Sequence, residues 1–136
     1  MAQKKLTDAD YAALADFRHS LRQFLAFSEG KAAEVGLTPQ QHQALLAIRG
    51  AAPGTATVGY VADRLILKPH SASGLIDRLE TLGLVTRQLS PQDRRQALLI
   101  LTDKAHDFLG TLSIPHREEV QRLKPMLSDL LDKLSR

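Results

Sequence analysis

At Gly83 the apolar period of the chain switches from helical to alternating, and few small folds accommodate that switch where it falls. Upstream, Thr57 is placed to cap a short helix carrying Val58, Tyr60, Val61, Ala62 and Leu65. After a brief turn, Pro69 opens a second helix through Leu75, Ile76, Leu79 and Leu82, which Gly83 ends. Downstream, Leu84–Leu89 and Gln96–Leu101 read as strands on either side of the polar turn Ser90-Pro91-Gln92-Asp93-Arg94-Arg95. Two short helices followed at once by a hairpin with a charged tip is therefore the frame the rest of the chain has to fit.

The flanks read as helices. Thr7 and Asp8 offer cap oxygens, and Tyr11, Leu14, Phe17, Leu21, Phe24, Leu25 and Ser28 keep helical spacing to about Ala33, before Gly36 breaks the run. Thr38-Pro39-Gln40-Gln41 combines a Thr cap, an early Pro and a Gln three residues after the cap, so a helix carrying Leu45, Leu46 and Ile48 should run from there to near Gly50. Residues 51–56 form a loop. Thr102-Asp103-Lys104 opens a further helix with Ala105, Phe108, Leu109 and Leu112; Pro115 is expected to bend or interrupt it. The pattern resumes with Val120 and Leu123, and a last helix is expected from near Pro125 through Leu127, Leu130, Leu131 and Leu134.

Composition removes several classes of function. A chain of 136 residues supports one domain, here taken as 1–136. With 4% aromatic residues and no Trp, it lacks the stacking faces that single-stranded nucleic acid requires. The absence of Cys excludes disulfides, Cys-based zinc sites and thiol redox sensing. A net charge of +3 is compatible with a polyanionic partner without demanding one. No stretch reads as a signal peptide or a membrane span, so a cytoplasmic protein without a membrane partner is expected. His42, His106 and His116, the last with Glu119 three residues on, form no tight ligand pair, and no metal site or cofactor is expected. No nucleophile motif or phosphate loop is present, so the chain is not read as an enzyme.

A hairpin directly after two such helices is the wing of a winged helix-turn-helix. Its second helix can enter a major groove of about 12 Å while the hairpin reaches along the backbone toward a minor groove. Asp77-Arg78-Leu79-Glu80-Thr81-Leu82-Gly83-Leu84-Val85-Thr86-Arg87, then Pro91-Gln92-Asp93-Arg94-Arg95, then Leu101-Thr102, resembles the MarR family of bacterial regulators. Leu37–Leu46 is similar to the family's segment ahead of the helix-turn-helix. The resemblance is close over roughly residues 37–105 and one of layout in the flanks.

The resemblance implies a mainly α (α+β) fold: a winged helix-turn-helix lobe at 38–101, with helices at 7–34 and 102–136 interlocking in a homodimer. It implies a regulator, a repressor before an activator, of genes whose pseudo-palindromic operators are double-stranded DNA. By position, Lys68, His70, Ser71 and Ser73 lie on the recognition helix. Arg95 enters the minor groove, Asp93 holds it through an ion pair, and Arg94 sits at the tip near phosphates. Thr57 and Arg87 are candidate phosphate contacts, Arg87 being open equally to a surface salt bridge. A small-molecule effector is a further implied partner, with Phe24 and His42 as candidate pocket residues. Two departures stand out: Lys68-Pro69 replaces the usual Ser or Thr cap, and Gly74 stands where Arg is frequent. A winged-helix dimer acting through protein partners and a metal-responsive regulator are the alternatives.

Overall fold

The structure is a computed structural model that describes residues 5–90, 93 and 95–135. In chain order its elements are α1 (Asp8–Glu34), α2 (Pro39–Gly50), α3 (Val58–Leu65), α4 (Pro69–Thr81), β1 (Val85–Leu89), β2 (Ala97–Leu101) and α5 (Asp103–Leu134). They fall into two compact units, Lys31–Ser113 and Met1–Gly30 with Ile114–Arg136. None of the described helices is long and apolar enough to cross a membrane.

Helix starts follow their capping chemistry. Thr7 and Asp10 cap one another's backbone at the head of α1, with distances of 2.9 and 3.2 Å. Thr38 and Gln41 form the equivalent reciprocal box on α2, at 3.0 and 3.1 Å. Helix ends share one device. After α1 the N–H of Leu37 donates to Ala32 O and that of Gly36 to Ala33 O; after α4, Leu84 donates to Leu79 O and Gly83 to Glu80 O. Gly36 and Gly83 adopt the left-handed conformation this motif needs, with φ of 80° and 74°. After α3 the same bonds run from Leu67 to Ala62 O and from Ile66 to Asp63 O, but the left-handed residue is Ile66, φ 55°. In each case a leucine follows and turns inward.

The core of the Lys31–Ser113 unit is aliphatic, as a chain poor in aromatics requires. Leu45, Val61, Ile76, Leu79, Leu84 and Val85 are each at most 2% exposed. β1 and β2 pair antiparallel with Val85 opposite Leu101, Arg87 opposite Leu99 and Leu89 opposite Ala97. The hairpin is tied to the rest of the unit where Leu99 N donates to Ala56 O, 2.7 Å away, just before α3. At its base, Thr102 donates from N to Leu84 O (3.1 Å) and from Oγ1 to Gly83 O (2.7 Å), while Lys104 Nζ reaches Leu82 O at 2.8 Å.

In the other unit Ser20 is buried. Its hydroxyl donates back to Asp16 O (2.9 Å) and lies 3.6 Å from Met126 Sδ. His116 Nε2 lies 2.9 Å from Ser28 Oγ, with Phe24 and Phe27 meeting the imidazole edge-on at 6.1 and 5.5 Å between centroids.

Two expected helix boundaries do not occur. Pro115 does not interrupt the C-terminal helix, and no new helix begins at Pro125: both prolines lie inside α5. A proline costs a helix interior about 3 kcal/mol through one lost hydrogen bond and a ring clash. The buried positions Leu109, Leu112, Leu123 and Leu130 nevertheless keep one helical phase across both prolines. A break at Pro115 would turn Leu123 and Leu130 out of that phase, and the burial of two leucines, at about 1.5–3 kcal/mol each, offsets the proline.

Ile66 is 92% exposed, so its side chain contributes no burial to offset a left-handed backbone that costs about 1–2 kcal/mol in a residue with a Cβ. Part of that gain is returned as unfolded-state entropy when glycine replaces it. Ile66→Gly is therefore expected to raise the unfolding free energy in urea by roughly 0.5–1 kcal/mol; a loss of stability would show that the side chain has a partner.

Candidate nucleic-acid interface

The roll of α4 about its axis is fixed by what it buries. Ala72, Leu75, Ile76 and Leu79 are at most 4% exposed, and at helical spacing they define one face. Lys68, His70, Ser71 and Ser73 are consequently left outside that face. Lys68 stands at the N-cap in extended conformation with no side-chain cap, and Pro69 follows at the first helical position. Along the flank turned to the hairpin, Ser73, Asp77 and Glu80 follow one another at intervals of four and three residues, which stacks them in a line.

The hairpin tip is built on Asp93. Its Oδ1 accepts from the backbone N of Arg95 (3.0 Å) and from Arg95 Nε (3.3 Å). Gln96 N donates to Asp93 O and Ser90 N to Gln96 O, each at 3.0 Å, closing the turn. The Arg95 side chain is 91% exposed, so this ion pair contributes little stability. It aims the guanidinium instead. Arg94, Pro91 and Gln92 lie outside the described residues.

Between these parts lies a cleft of about 550 Å³, bordered by Thr57, Gly59, Ser73, Asp77, Arg87 and Arg95. Thr57 accepts from Tyr60 N at 3.1 Å as the cap of α3, which leaves its hydroxyl hydrogen available to an acceptor in the cleft. Arg87 has its guanidinium forked onto α4, with Nη2 2.9 Å from Asp77 Oδ1 and Nη1 3.0 Å from Glu80 Oε1. The sequence leaves this residue open to a phosphate contact or a salt bridge, and its local pattern points to neither carboxylate. The three-residue spacing of Asp77 and Glu80, with an Arg two residues after the buried Val85 on the same strand face, is the signal that could have found the fork.

The two candidate effector-pocket residues fall in different units. Phe24 lies against His116, whereas His42 is buried on α2 at 3% exposure. No cluster of three or more metal-ligating side chains occurs among the described residues.

Two short helices joined by a tight left-handed turn, with a hairpin docked on the second, define a winged helix-turn-helix protein. Residues 35–96 match a family model described as the MarR family. The chain is 34% identical over 90 residues to an organic hydroperoxide resistance transcriptional regulator of Bacillus subtilis, covering 59% of this chain and 61% of that one. It is 29% identical over 69 residues to the B. subtilis regulator MhqR, covering 51% and 48%. The chain thus spans less than two thirds of the length of these relatives. AbsC, a MarR family transcriptional regulator from Streptomyces coelicolor, has the same fold with a TM-score of 0.75 at 22% identity, over 96% of this chain and 90% of its own. So does S. aureus MepR in a DNA complex, with a TM-score of 0.69 at 20% identity over 96% and 98%. The winged segment, residues 35–96, is thus similar to the MarR family.

Gly74 sits inside α4, and a Cβ placed on it would meet nothing within 4 Å, so no packing among the described residues requires a glycine there. Gly74→Ala is expected to stabilise the fold by about 1 kcal/mol in a urea or thermal melt; a drop in stability would expose a steric demand of the unliganded protein.

Proposed function

We propose that this protein is a sequence-specific double-stranded DNA-binding transcriptional regulator, a repressor rather than an enzyme, acting in the cytoplasm as a homodimer on a pseudo-palindromic operator. The observation that carries the reading is the cleft in which the outer flank of α4, at Ser73, and the solvent-directed Arg95 of the wing face a common space. A helix and a hairpin facing one cleft can address a major groove and its neighbouring minor groove. Lys68, His70, Ser71 and Ser73 would meet base edges and adjacent phosphates, Arg95 the minor groove with Asp93 aiming it, and Arg94 the flanking phosphates. Thr57 and Arg87 border the cleft where the intervening backbone would pass. The relatives of known name are transcriptional regulators, which supports the same reading.

The dimer is supported by apolar side chains left in solvent. Tyr11, Leu14, Leu21 and Leu25 share one stripe of α1 and are 43–59% exposed, and Val120 and Leu131 on α5 are 52% and 53% exposed. A second copy would cover them and set two half-sites about 10 base pairs apart, or a multiple of that. A small-molecule effector would regulate binding by preferring one of two conformations of that dimer.

Fluorescence anisotropy with duplex DNA from upstream of the protein's own gene tests the reading. Dissociation constants should rise by about 10³–10⁵ between 50 and 200 mM salt if 6–10 phosphates are contacted. Arg95→Ala should weaken binding by about 1–3 kcal/mol with the fold intact. Binding that is absent, or indifferent to salt, would falsify the DNA reading and favour a protein partner. Sedimentation should give twice the 15.0 kDa chain mass; a monomer at micromolar concentration would remove the two-fold operator model.

A further inference from the structure

We infer that Arg87 is the positioning residue that sets the wing against the recognition helix, acting through its fork onto Asp77 and Glu80, and that it holds no phosphate. This rests on the DNA-binding reading above and assigns a different task to one residue of the cleft.

Strand register is the first argument. Side chains directly opposite in an antiparallel pair share a face, and Arg87 lies opposite Leu99, which is 3% exposed. Val85, two residues earlier, is 2% exposed. Arg87 therefore lies on the face of β1 that Val85 and Leu99 turn into the protein, at the point where that face opens to solvent toward Leu89, and its side chain reaches α4. The second argument is geometry. Asp77 and Glu80 are one helical turn apart, and the two terminal nitrogens of one planar guanidinium meet them at 2.9 and 3.0 Å. Only arginine spans both carboxylates with a single rigid group.

Charge supplies the third argument. Two carboxylates already compensate the single charge of Arg87, and both would repel a phosphate brought to its remaining N–H groups. The fork in turn screens both carboxylates. Other attachments of the hairpin are at its base, through Thr102, and at β2, through Leu99 N and Ala56 O. Beside the apolar packing of Val85 against the core side of α4, the fork ties β1 to α4 through charged side chains. Because Arg87 and Glu80 are each 35% exposed and Asp77 65%, the ion pairs add little to overall stability, so variants here should fold.

The test uses the full chain with Arg87→Gln, Arg87→Lys, Asp77→Asn/Glu80→Gln and the triple neutral variant. Since the protein has no cysteine, spin labels at Ser71→Cys and Gln88→Cys report the distance from helix to wing without DNA. Arg87→Gln and the carboxylate pair should each broaden that distance distribution, with Arg87→Lys intermediate. On the upstream duplex, each should weaken binding about tenfold, and the triple variant should be no weaker than either. The salt slope should stay at the wild-type value while hydroxyl-radical protection is lost at the minor-groove flanks and kept at the centre. An unchanged distance distribution overturns the inference. So does a salt slope lowered by about 0.9 in Arg87→Gln, the signature of one lost phosphate contact, with the carboxylate pair binding at least as well as wild type. A wild-type chain that binds no DNA defeats the DNA reading itself and this inference with it, whereas normal wild-type binding with either of the former results defeats the clamp alone.

Discussion

Everything at the candidate interface depends on the corner Leu82-Gly83-Leu84. Gly83 reverses the chain with a φ of 74°, and Leu84 N returns to Leu79 O, so α4 passes into β1 with almost no slack. Leu84 and Val85 enter the same core that Leu75, Ile76 and Leu79 occupy from the helix side. One apolar cluster thereby decides both which face of α4 is turned outward and where the hairpin starts. The polar residues proposed to meet DNA have no say in their own placement. They are what remains once the aliphatic side chains have been buried.

The ion pairs at the surface do different work from the core. Asp93 with Arg95, and Arg87 with Asp77 and Glu80, are exposed enough that water and salt dilute their contribution to stability. Their value lies in direction. Asp93 holds Arg95 through both its backbone and its side chain, which reduces the rotamer freedom that a long cation would otherwise lose on meeting a ligand. Two arginines on one hairpin are thus committed oppositely, Arg95 outward and Arg87 toward α4.

Local chemistry is legible in the sequence and long-range chemistry is not. Thr38-Pro39-Gln40-Gln41 announces the start of α2 because a capping box is complete within four residues, and Gly83 announces the end of α4 for the same reason. The hairpin follows from alternation on either side of a polar turn. Helix α5 escapes such a reading because the rule that applies at Pro115 is local, whereas the stripe of Leu112, Leu123 and Leu130 that overrides it extends over many turns. Ile66 is unreadable for the opposite reason: a β-branched side chain is the residue type that argues against the conformation it adopts. At the interface, the outward placement of His70, Ser71 and Ser73 follows from helical phase. The Arg87 fork requires the strand register, which no single stretch of sequence contains.

The base of the hairpin has a mechanical consequence. Leu82, Gly83 and Leu84 present three successive carbonyls, and Thr102 and Lys104, flanking the start of α5, bond to all of them. The last turn of one helix and the first turn of another are therefore soldered through a single strip of backbone. A rotation of either helix end would have to strain those three bonds or carry the other end with it.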